Sequence, residues 1–279
     1  MRTRFAPSPT GFLHLGNAYS ALVGYELARH FGGEFLIRIE DIDQPRCTTA
    51  FEAAIFEDLR WLGLDWVKSV LRQSDRHLAY HLAVEELISQ ELCYPCRCTR
   101  KDIQAALSAP QEGASGGPDG PVYPGTCRHR SMTEAGPNDA IRLDMAKAWN
   151  ALKGRNLYFQ EFLRSPGNYT VGADIVATCG DIVVARKDIG TSYHVAVVVD
   201  DAFQQITDVV RGEDMFSATP IHVVLQSLLS LPMPNYHHHR LVRDVHGKRI
   251  SKREDGTTLQ SFRNKNLDPD DLKAMITDL

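Results

Sequence analysis

The stretch Arg4-Phe5-Ala6-Pro7-Ser8-Pro9-Thr10-Gly11-Phe12-Leu13-His14-Leu15-Gly16-Asn17 decides how the rest of the chain is interpreted. It opens as a short strand, Arg2 to Ala6, and continues as a loop that holds prolines and glycines. Apolar residues at helical spacing follow, which predicts a helix with Asn17 as its N-cap. A strand, a glycine-containing loop and a helix N-terminus offer backbone N–H groups and a positive dipole end to phosphate. An ordinary strand-loop-helix corner has the same pattern, so spacing alone leaves both interpretations open.

Composition limits the class of protein. The 279 residues are 43% hydrophobic and 24% charged, with a formal net charge of -4, which is ordinary for a globular protein of one large or two modest domains. No apolar run approaches the ~20 residues of a membrane span, and the first residues lack the apolar segment of a signal peptide. We therefore expect a cytoplasmic protein, and we expect it to act as a monomer. The negative charge argues against non-specific coating of nucleic acid.

A second strand is predicted at Glu34–Ile39, a nearly continuous apolar run typical of a strand buried on both faces. Strand, helix and strand in this order begin a doubly wound parallel sheet. The segment Arg38-Ile39-Glu40 places a carboxylate at the C-terminal edge of the strand, where such folds bind ligands. The sequence therefore predicts an α/β fold with a ligand site at this edge.

An interval of different composition interrupts the predicted sheet. Sheet-like patterning returns only at Asp181–Ala185 and Val195–Val199. Residues Ser108 to Pro121 are rich in glycine, proline, serine and alanine, which indicates a flexible insertion. We therefore predict a doubly wound sheet domain in two parts with an inserted α+β unit between them. The predicted boundaries are residues 1–90, 91–184 and 185–279.

Four of the six cysteines fall in the predicted insert. Because the chain lacks secretory features, metal binding is favoured over disulfides. Spacing alone suggests a four-thiolate zinc site, with reduced free thiols as the alternative. The four cysteines are Cys93, Cys96, Cys98 and Cys127.

Two segments resemble the phosphate-binding signatures of class I aminoacyl-tRNA synthetases. His14-Leu15-Gly16-Asn17 resembles the HIGH signature, and Arg4 to Gly11 resembles the glutamyl branch of the family. Arg249-Ile250-Ser251-Lys252-Arg253 resembles the KMSKS loop, although its first, second and last residues depart from that pattern. The resemblance implies a Rossmann-type catalytic domain, in which cations on both sides of ATP stabilise charge at the α-phosphate. The implied catalytic residues are His14, Ser251 and Lys252. The implied ATP-binding residues are His14, Gly16, Asn17, Ile250, Ser251 and Lys252, and Mg2+ is expected with ATP.

The same resemblance implies a glutamate substrate. Tyr193-His194 and Arg211-Gly212-Glu213-Asp214 match the second half of the family's catalytic domain. A side-chain carboxylate needs a cationic, bidentate partner, which arginine supplies better than lysine. Two arginines qualify, and which of them meets which carboxylate stays open. The implied glutamate-binding residues are Arg4, Ala6, Ser8, Glu40, Tyr193 and Arg211, with Glu40 contacting the amino group.

The resemblance implies a zinc ligand set that differs from the one suggested by spacing. It leaves Cys93 outside and includes a tyrosine. Zinc held by four protein ligands is structural. The implied ligands are Cys96, Cys98, Tyr123 and Cys127. His237-His238-His239 are interpreted as surface residues or the rim of the ATP pocket, because three adjacent histidines on an extended strand cannot easily converge on one ion.

The resemblance covers nearly the whole chain, but the sequence ends soon after the KMSKS-like loop, where full glutamyl-tRNA synthetases continue into a helical portion that reads the anticodon. It resembles most closely a shorter branch, the glutamyl-Q tRNA(Asp) synthetases. This implies that L-glutamate is activated with ATP and transferred to queuosine in the anticodon loop of tRNA(Asp), with the insert holding the anticodon stem-loop. The alternatives are a truncated glutamyl-tRNA synthetase that charges tRNA(Glu) and a non-catalytic RNA-binding relic.

Overall fold

The computed structural model describes residues 1–107, 116–242 and 258–278. The KMSKS-like segment Arg249 to Arg253 lies outside the described residues, as does the first part of the predicted flexible insertion. The described part of that insertion, residues 116–121, forms a two-stranded hairpin.

Strands and helices alternate over most of the described chain. The strands are β1 (Arg2–Phe5), β2 (Glu34–Ile39), β3 (Leu71–Arg72), β4 (Cys93–Cys96), β5 (Gly116–Gly117), β6 (Gly120–Pro121), β7 (Ala140–Leu143), β8 (Tyr158–Glu161), β9 (Gly167–Thr170), β10 (Val183–Ala185), β11 (Asp208–Gly212) and β12 (Asn235–His239). The α-helices are α1 (Leu15–His30), α2 (Thr49–Trp61), α3 (His77–Ser89), α4 (Arg100–Leu107), α5 (Met145–Ala151), α6 (Ile175–Thr178), α7 (Tyr193–Phe203), α8 (Thr219–Leu228), α9 (Leu259–Asn264) and α10 (Pro269–Asp278). Within the described ranges, none of these helices is long and apolar enough to span a membrane.

The candidate site is built on parallel strands. β1, β2 and β3 form one parallel sheet, and β11, β12 and β8 form another, which β9 extends in antiparallel orientation. The Thr207 N–H donates to the Arg2 carbonyl oxygen at 3.0 Å, so the two sheets meet edge to edge at β1 and β11. The predicted α/β fold with a parallel sheet is confirmed.

β2 has the predicted bounds and is buried on both faces, as its apolar run indicated. Phe35, Ile37 and Ile39 pack in one core cluster with residues of α1 and α2. Leu36 belongs to a second cluster, which contains residues of α3, α7 and α8. Helices therefore cover both faces of this strand, and its polar C-terminal end opens to the candidate site.

The predicted strand at Val195–Val199 is wrong, because this segment is part of helix α7. The Ser192 hydroxyl caps the helix by accepting a hydrogen bond from the Val195 N–H at 3.4 Å. A short apolar run does not distinguish a buried strand from a buried helix. Burial of the valines against α3 and α8 outweighs their preference for strands. Asp200 and Asp201, which follow, therefore lie on a helix.

β8 lies inside the range predicted for the inserted unit, yet it pairs with a strand of the parallel sheet. Glu161 lies opposite Tyr236 of β12, and Phe159 shares a core cluster with Tyr236. In the same range, β4, β7 and β10 form a separate antiparallel sheet. The division at residues 91 and 184 stays a prediction, and β8 joins this middle region to the second half of the parallel sheet.

Candidate active site

The N-cap of α1 is His14, so the prediction that Asn17 caps this helix was wrong. The His14 Nδ1 atom accepts a hydrogen bond from the Gly16 N–H at 3.1 Å, and the Asn17 Oδ1 atom accepts one from the His14 N–H at 3.1 Å. Asn17 therefore closes a capping box from the third helical position. The prediction failed because asparagine is a favoured N-cap, whereas here a ring nitrogen takes that role. Since Nδ1 accepts, a neutral His14 carries its proton on Nε2.

Gly16 is required by the close approach of the His14 ring. A Cβ atom at residue 16 would lie 3.0 Å from His14 Cε1 and 3.1 Å from Nδ1, which is tighter than ordinary van der Waals contact. The imidazole therefore rests against the first turn of α1. Backbone N–H groups and the helix dipole at this position favour an anion such as phosphate.

The chain returns to His14 directly after the segment that lies outside the described residues. The Leu259 N–H donates to the Leu13 carbonyl oxygen at 2.8 Å, and Thr258 forms a β-bridge with His14. On the other side of the segment, Val242 packs in the core cluster that contains Leu13. Thr258, which follows the segment, thus lies beside the N-terminal loop, and Val242, which precedes it, belongs to the same core cluster as that loop. The sequence-predicted residues Ile250, Ser251 and Lys252 themselves lie outside the described residues.

Arg4 from β1 and Asp201 from α7 form a buried ion pair. Arg4 Nε lies 2.9 Å from Asp201 Oδ1, and Nη2 lies 3.3 Å from Oδ2. A third donor, Nη1, reaches the Val210 carbonyl oxygen at 3.2 Å. The two residues are only 4% and 5% exposed, so this two-pronged contact fixes the guanidinium and neutralises its charge inside the protein.

Arg38 binds the same carboxylate and extends the network to Glu40. Its Nη1 atom donates to Asp201 Oδ1 at 2.7 Å, and its Nη2 atom donates to Glu40 Oε1 at 3.2 Å. Burial raises the pKa of Glu40, against the opposing effect of the charges on Arg38 and Arg4. Two arginines and two carboxylates thus balance each other, and Glu40 lies at one end of the network.

The loop after β1 lies beside Glu40. The Glu40 N–H donates to the Pro7 carbonyl oxygen at 3.0 Å. Ala6 and Ser8 flank Pro7 and are both partly exposed. The structure therefore brings the loop that carries these two sequence-predicted residues to the backbone of Glu40.

Tyr193 is the first residue of α7, and its ring centroid lies 5.5 Å from that of His194. Burial raises the pKa of its phenol, and the charges of Arg211, Glu40 and Arg4 also act on it. Charges act strongly only at short range in a protein. Three of the sequence-predicted glutamate-binding side chains, Arg211, Glu40 and Arg4, therefore lie within electrostatic range of Tyr193.

Arg211, at the end of β11, is held by three uncharged partners. Its Nε, Nη1 and Nη2 atoms donate to His238 Nε2 at 3.1 Å, His222 Nδ1 at 3.0 Å and Thr219 Oγ1 at 2.8 Å. Burial and the charge of Arg211 hold the pKa of His222 well below its usual value, and burial also lowers the pKa of His238. Arg211 is only 7% exposed. Arg4 is bonded to a carboxylate, but none of the described residues that bond to Arg211 is a carboxylate. A buried cation without such a partner is in the environment of an anion-binding residue.

The three adjacent histidines of β12 are buried, so the prediction of a surface position is wrong, while the alternative of a place at the rim of the ATP pocket stays a prediction. His237, His238 and His239 are 5%, 1% and 6% exposed. His237 Nε2 lies 2.9 Å from Asp208 Oδ1, and His238 Nδ1 lies within hydrogen-bonding distance of the Glu161 carboxylate. The prediction failed because polar residues are usually exposed, whereas two of these rings find carboxylate partners inside the sheet.

Three of the cysteines cluster at the end of β4. The sulfur atoms of Cys96, Cys98 and Cys127 all lie within 4.8 Å of one another, and the Tyr123 hydroxyl lies 3.4 Å from both Cys96 and Cys98. Burial tends to raise the pKa of the Cys127 thiol, but hydrogen bonds from Tyr123 and the Arg97 backbone outweigh it and help lower the pKa to about 7. Thiolates bind zinc, so these three cysteines can hold a metal, and Tyr123 is placed to be a fourth ligand.

Cys93 lies apart from this cluster. Successive side chains of a strand point to opposite faces, so Cys93 and Cys96 of β4 face opposite sides. Cys93 packs in the large core cluster with Leu92 and Leu143, where burial raises the pKa of its thiol to about 12. A buried neutral thiol in an apolar cluster is a packing residue.

Residues 1–277 match the family described as tRNA synthetases class I (E and Q), catalytic domain. This chain belongs to that family. It is 48% identical to the glutamyl-Q tRNA(Asp) synthetase of Rhodobacter capsulatus, over 99% of each chain. It is 38% identical to the glutamyl-Q tRNA(Asp) synthetase of Geobacter sulfurreducens, over 94% of this chain and 78% of that protein. The fold is similar to the crystal structure of a glutamate tRNA ligase from Elizabethkingia meningosepticum in complex with its amino acid, with a TM-score of 0.71 and 27% identity over 92% of this chain and 52% of that one. The synthetase chain described here thus spans about half of that solved ligase.

Several polar residues of this synthetase site were missed by sequence reasoning. One signal was present in the sequence: Arg38 interrupts an apolar run, and a charge inside a strand buried on both faces needs a partner. A second signal, for Asp201, requires that α7 be assigned as a helix. Asp201 follows His194 by two helical turns and therefore lies on the same face of α7. No local pattern marked the remaining residues. They are His222, His238 and Glu161.

Proposed function

We propose that this chain activates L-glutamate with ATP and transfers the glutamyl group to the queuosine base in the anticodon loop of tRNA(Asp). The observation that carries the proposal is the buried Arg211 cation, whose charge and that of Glu40 both act on Tyr193, in a chain 48% identical over 99% of its length to a protein named glutamyl-Q tRNA(Asp) synthetase. An uncompensated guanidinium and a carboxylate in one site complement the carboxylate and ammonium groups of an amino acid such as glutamate.

Arg211 binds the side-chain carboxylate of glutamate in this proposal. Arg4 is already paired with Asp201, whereas the described residues that bond to Arg211 are all neutral. Arg4, whose charge Asp201 balances, therefore orients the network that reaches Glu40 through Arg38. Glu40 accepts the ammonium group, and Ala6, Ser8 and Tyr193 complete the polar surroundings.

Activation needs no covalent enzyme nucleophile. An oxygen of the glutamate α-carboxylate attacks the α-phosphorus of ATP, and pyrophosphate leaves, so that charge develops on the α-phosphate. The His14 Nε2–H and the N-terminus of α1, with Gly16 and Asn17, stabilise that charge from one side. Lys252, with Ser251 and Ile250, does so from the other, and Mg2+ bound with ATP would neutralise further phosphate charge. Orientation and charge stabilisation supply the catalysis.

In the second step a queuosine hydroxyl attacks the carbonyl carbon of the glutamyl adenylate, and AMP leaves. We propose that the cysteine-bearing middle region contacts the anticodon stem-loop that carries this base. Cys96, Cys98, Tyr123 and Cys127 would hold a structural zinc ion there, which would fix the end of β4 against the loop that contains Tyr123 and Cys127.

A charging assay tests the proposal. Purified tRNA(Asp) with queuosine, the same tRNA without queuosine, and tRNA(Glu) are each incubated with enzyme, ATP and labelled glutamate. Glutamate is expected only on the queuosine-containing tRNA(Asp). Incorporation only into tRNA(Glu) would instead identify a truncated glutamyl-tRNA synthetase, and absence of glutamate-dependent pyrophosphate exchange would indicate a non-catalytic RNA-binding protein.

A further inference from the structure

A continuous chain of hydrogen bonds runs from Arg211 to the hairpin formed by β5 and β6. Arg211 Nη1 lies 3.0 Å from His222 Nδ1, and His222 Nε2 lies 3.0 Å from His194 Nδ1. His194 Nε2 in turn lies 2.9 Å from Asp119 Oδ2 and 3.1 Å from Oδ1. Both histidines are buried, at 2% and 4% exposure, whereas the Asp119 side chain is 60% exposed. The chain therefore connects an exposed carboxylate with a buried cation.

Arg211 fixes the direction of every bond in this chain. A guanidinium only donates, so His222 Nδ1 must accept and its proton lies on Nε2. His194 Nδ1 then accepts from His222, and the His194 proton lies on Nε2, where it is donated to Asp119. Each imidazole is therefore neutral with its hydrogen on Nε2, and the Asp119 carboxylate is the terminal acceptor.

A second chain from the same guanidinium has the same form. Arg211 Nε donates to His238 Nε2 at 3.1 Å, so the His238 proton lies on Nδ1 and is donated to Glu161. Glu161 is fully buried and also accepts three backbone N–H groups. One chain thus ends on a carboxylate fixed inside the sheet, and the other ends on a carboxylate of an exposed hairpin.

We propose that Asp119 is a positioning residue: by accepting the His194 proton it holds His194 and His222 in the tautomers that orient Arg211 for glutamate. The inference rests on the proposed role of Arg211 in glutamate binding. In this proposal the hairpin formed by β5 and β6 helps to set the geometry of the amino-acid site. A carboxylate that orients an imidazole acts in the same way in many metal and catalytic sites.

The test uses the full chain with Asp119→Ala and Asp119→Asn. In glutamate-dependent pyrophosphate exchange, Asp119→Ala is expected to raise the KM for glutamate about tenfold, since a charge-assisted hydrogen bond is lost, and to leave the KM for ATP unchanged. Asp119→Asn keeps an oxygen that accepts the His194 proton and is expected to recover most of this loss. Asp188→Ala, which removes an exposed carboxylate paired with Arg186, is the matched control and is expected to behave as the unaltered chain.

A second readout does not depend on activity. Nitrogen-15 NMR of the imidazoles is expected to show the Nε2–H tautomer for both His194 and His222 in the unaltered chain, and loss of the defined His194 tautomer in Asp119→Ala. The inference is overturned if His222 has the Nδ1–H tautomer. It is also overturned if Asp119→Ala leaves the KM for glutamate unchanged, or raises the KM values for glutamate and ATP equally. Absence of glutamate-dependent exchange in the unaltered chain would instead contradict the proposed function, and the tautomers would still decide whether Asp119 positions the histidines.

Discussion

The backbone N–H of Leu259 donates a hydrogen bond of 2.8 Å to the carbonyl oxygen of Leu13. The acceptor immediately precedes His14, and the donor belongs to the first turn of the helix that follows the KMSKS-like segment. The residues that follow the KMSKS-like segment are therefore joined by main-chain contact to the loop that carries His14. The proposed activation step requires cations on both sides of ATP, and this contact brings the chain just after the KMSKS-like segment to the His14 side.

Lys252→Ala is expected to slow adenylate formation far more than it weakens glutamate binding. Its ammonium acts on charge that develops in the transition state, so kcat for glutamate-dependent pyrophosphate exchange should fall about 100-fold, while the KM for glutamate stays nearly unchanged. Lys265→Ala, which removes an exposed lysine at the end of α9, is the control. Equal changes in both constants would contradict the assigned role of Lys252.

Gly16→Ala is expected to impair ATP use without unfolding the protein. The added Cβ atom would lie 3.0 Å from the His14 ring, so the imidazole must shift by a few tenths of an ångström. We expect kcat/KM for ATP to fall about tenfold, as for a small displacement of a catalytic group. Gly167→Ala is the matched control, because a Cβ atom there has no neighbour within 4 Å among the atoms described. An ATP dependence identical in the two variants would show that His14 need not rest against Gly16.

Cys98→Ala is expected to abolish zinc binding, whereas Cys93→Ala is expected to retain it. Cys98 lies in the three-thiol cluster, while Cys93 packs in the apolar core. Zinc per chain, measured by elemental analysis, distinguishes the two. Cys93→Ala should cost about 1 kcal/mol of stability by leaving a small cavity. Loss of zinc from both variants would favour the four-thiolate set, and zinc in neither variant nor the unaltered chain would remove zinc from the proposal.

Glu161 is expected to make folding sensitive to acid. Burial alone would raise its pKa, but hydrogen bonds from His238 and from backbone N–H groups lower it to about 2 from the usual 4.5. A carboxyl whose pKa is lower in the folded state contributes stability that is complete above pH 4.5 and is lost as the pH falls toward 2. The shift corresponds to about 3 kcal/mol.

Glu161→Gln should therefore reduce the free energy of unfolding most at neutral pH, and the difference from the unaltered chain should shrink as the pH falls. Urea unfolding at a series of pH values measures this difference. A difference that stays constant from neutral pH down to about pH 2 would show that the variant acts through packing and not through the carboxylate charge.

Local patterns predicted the backbone of the site but not its buried polar contacts. The strand at Glu34–Ile39 had the predicted bounds, because continuous apolar character reports burial on both faces. The valine run of α7 was predicted as a strand, since helix and strand patterns coincide in a short buried segment. Partners such as Arg38 and Asp201 are 163 residues apart, and no sequence periodicity encodes a contact of that range.

The pairing of Arg4 with Asp201 also bears on how the protein is made. These residues are 197 positions apart, and Arg4 additionally contacts the carbonyl oxygen of Val210. During synthesis at about 5–20 residues per second, the N-terminal strand must therefore wait many seconds for its partners. Until then two arginines of the future site lack their carboxylate, and β1 lacks the neighbouring edge at Thr207. The amino-acid site is thus completed only late in translation. A chaperone would have most unpaired surface to protect while only the first half of the chain has been synthesised.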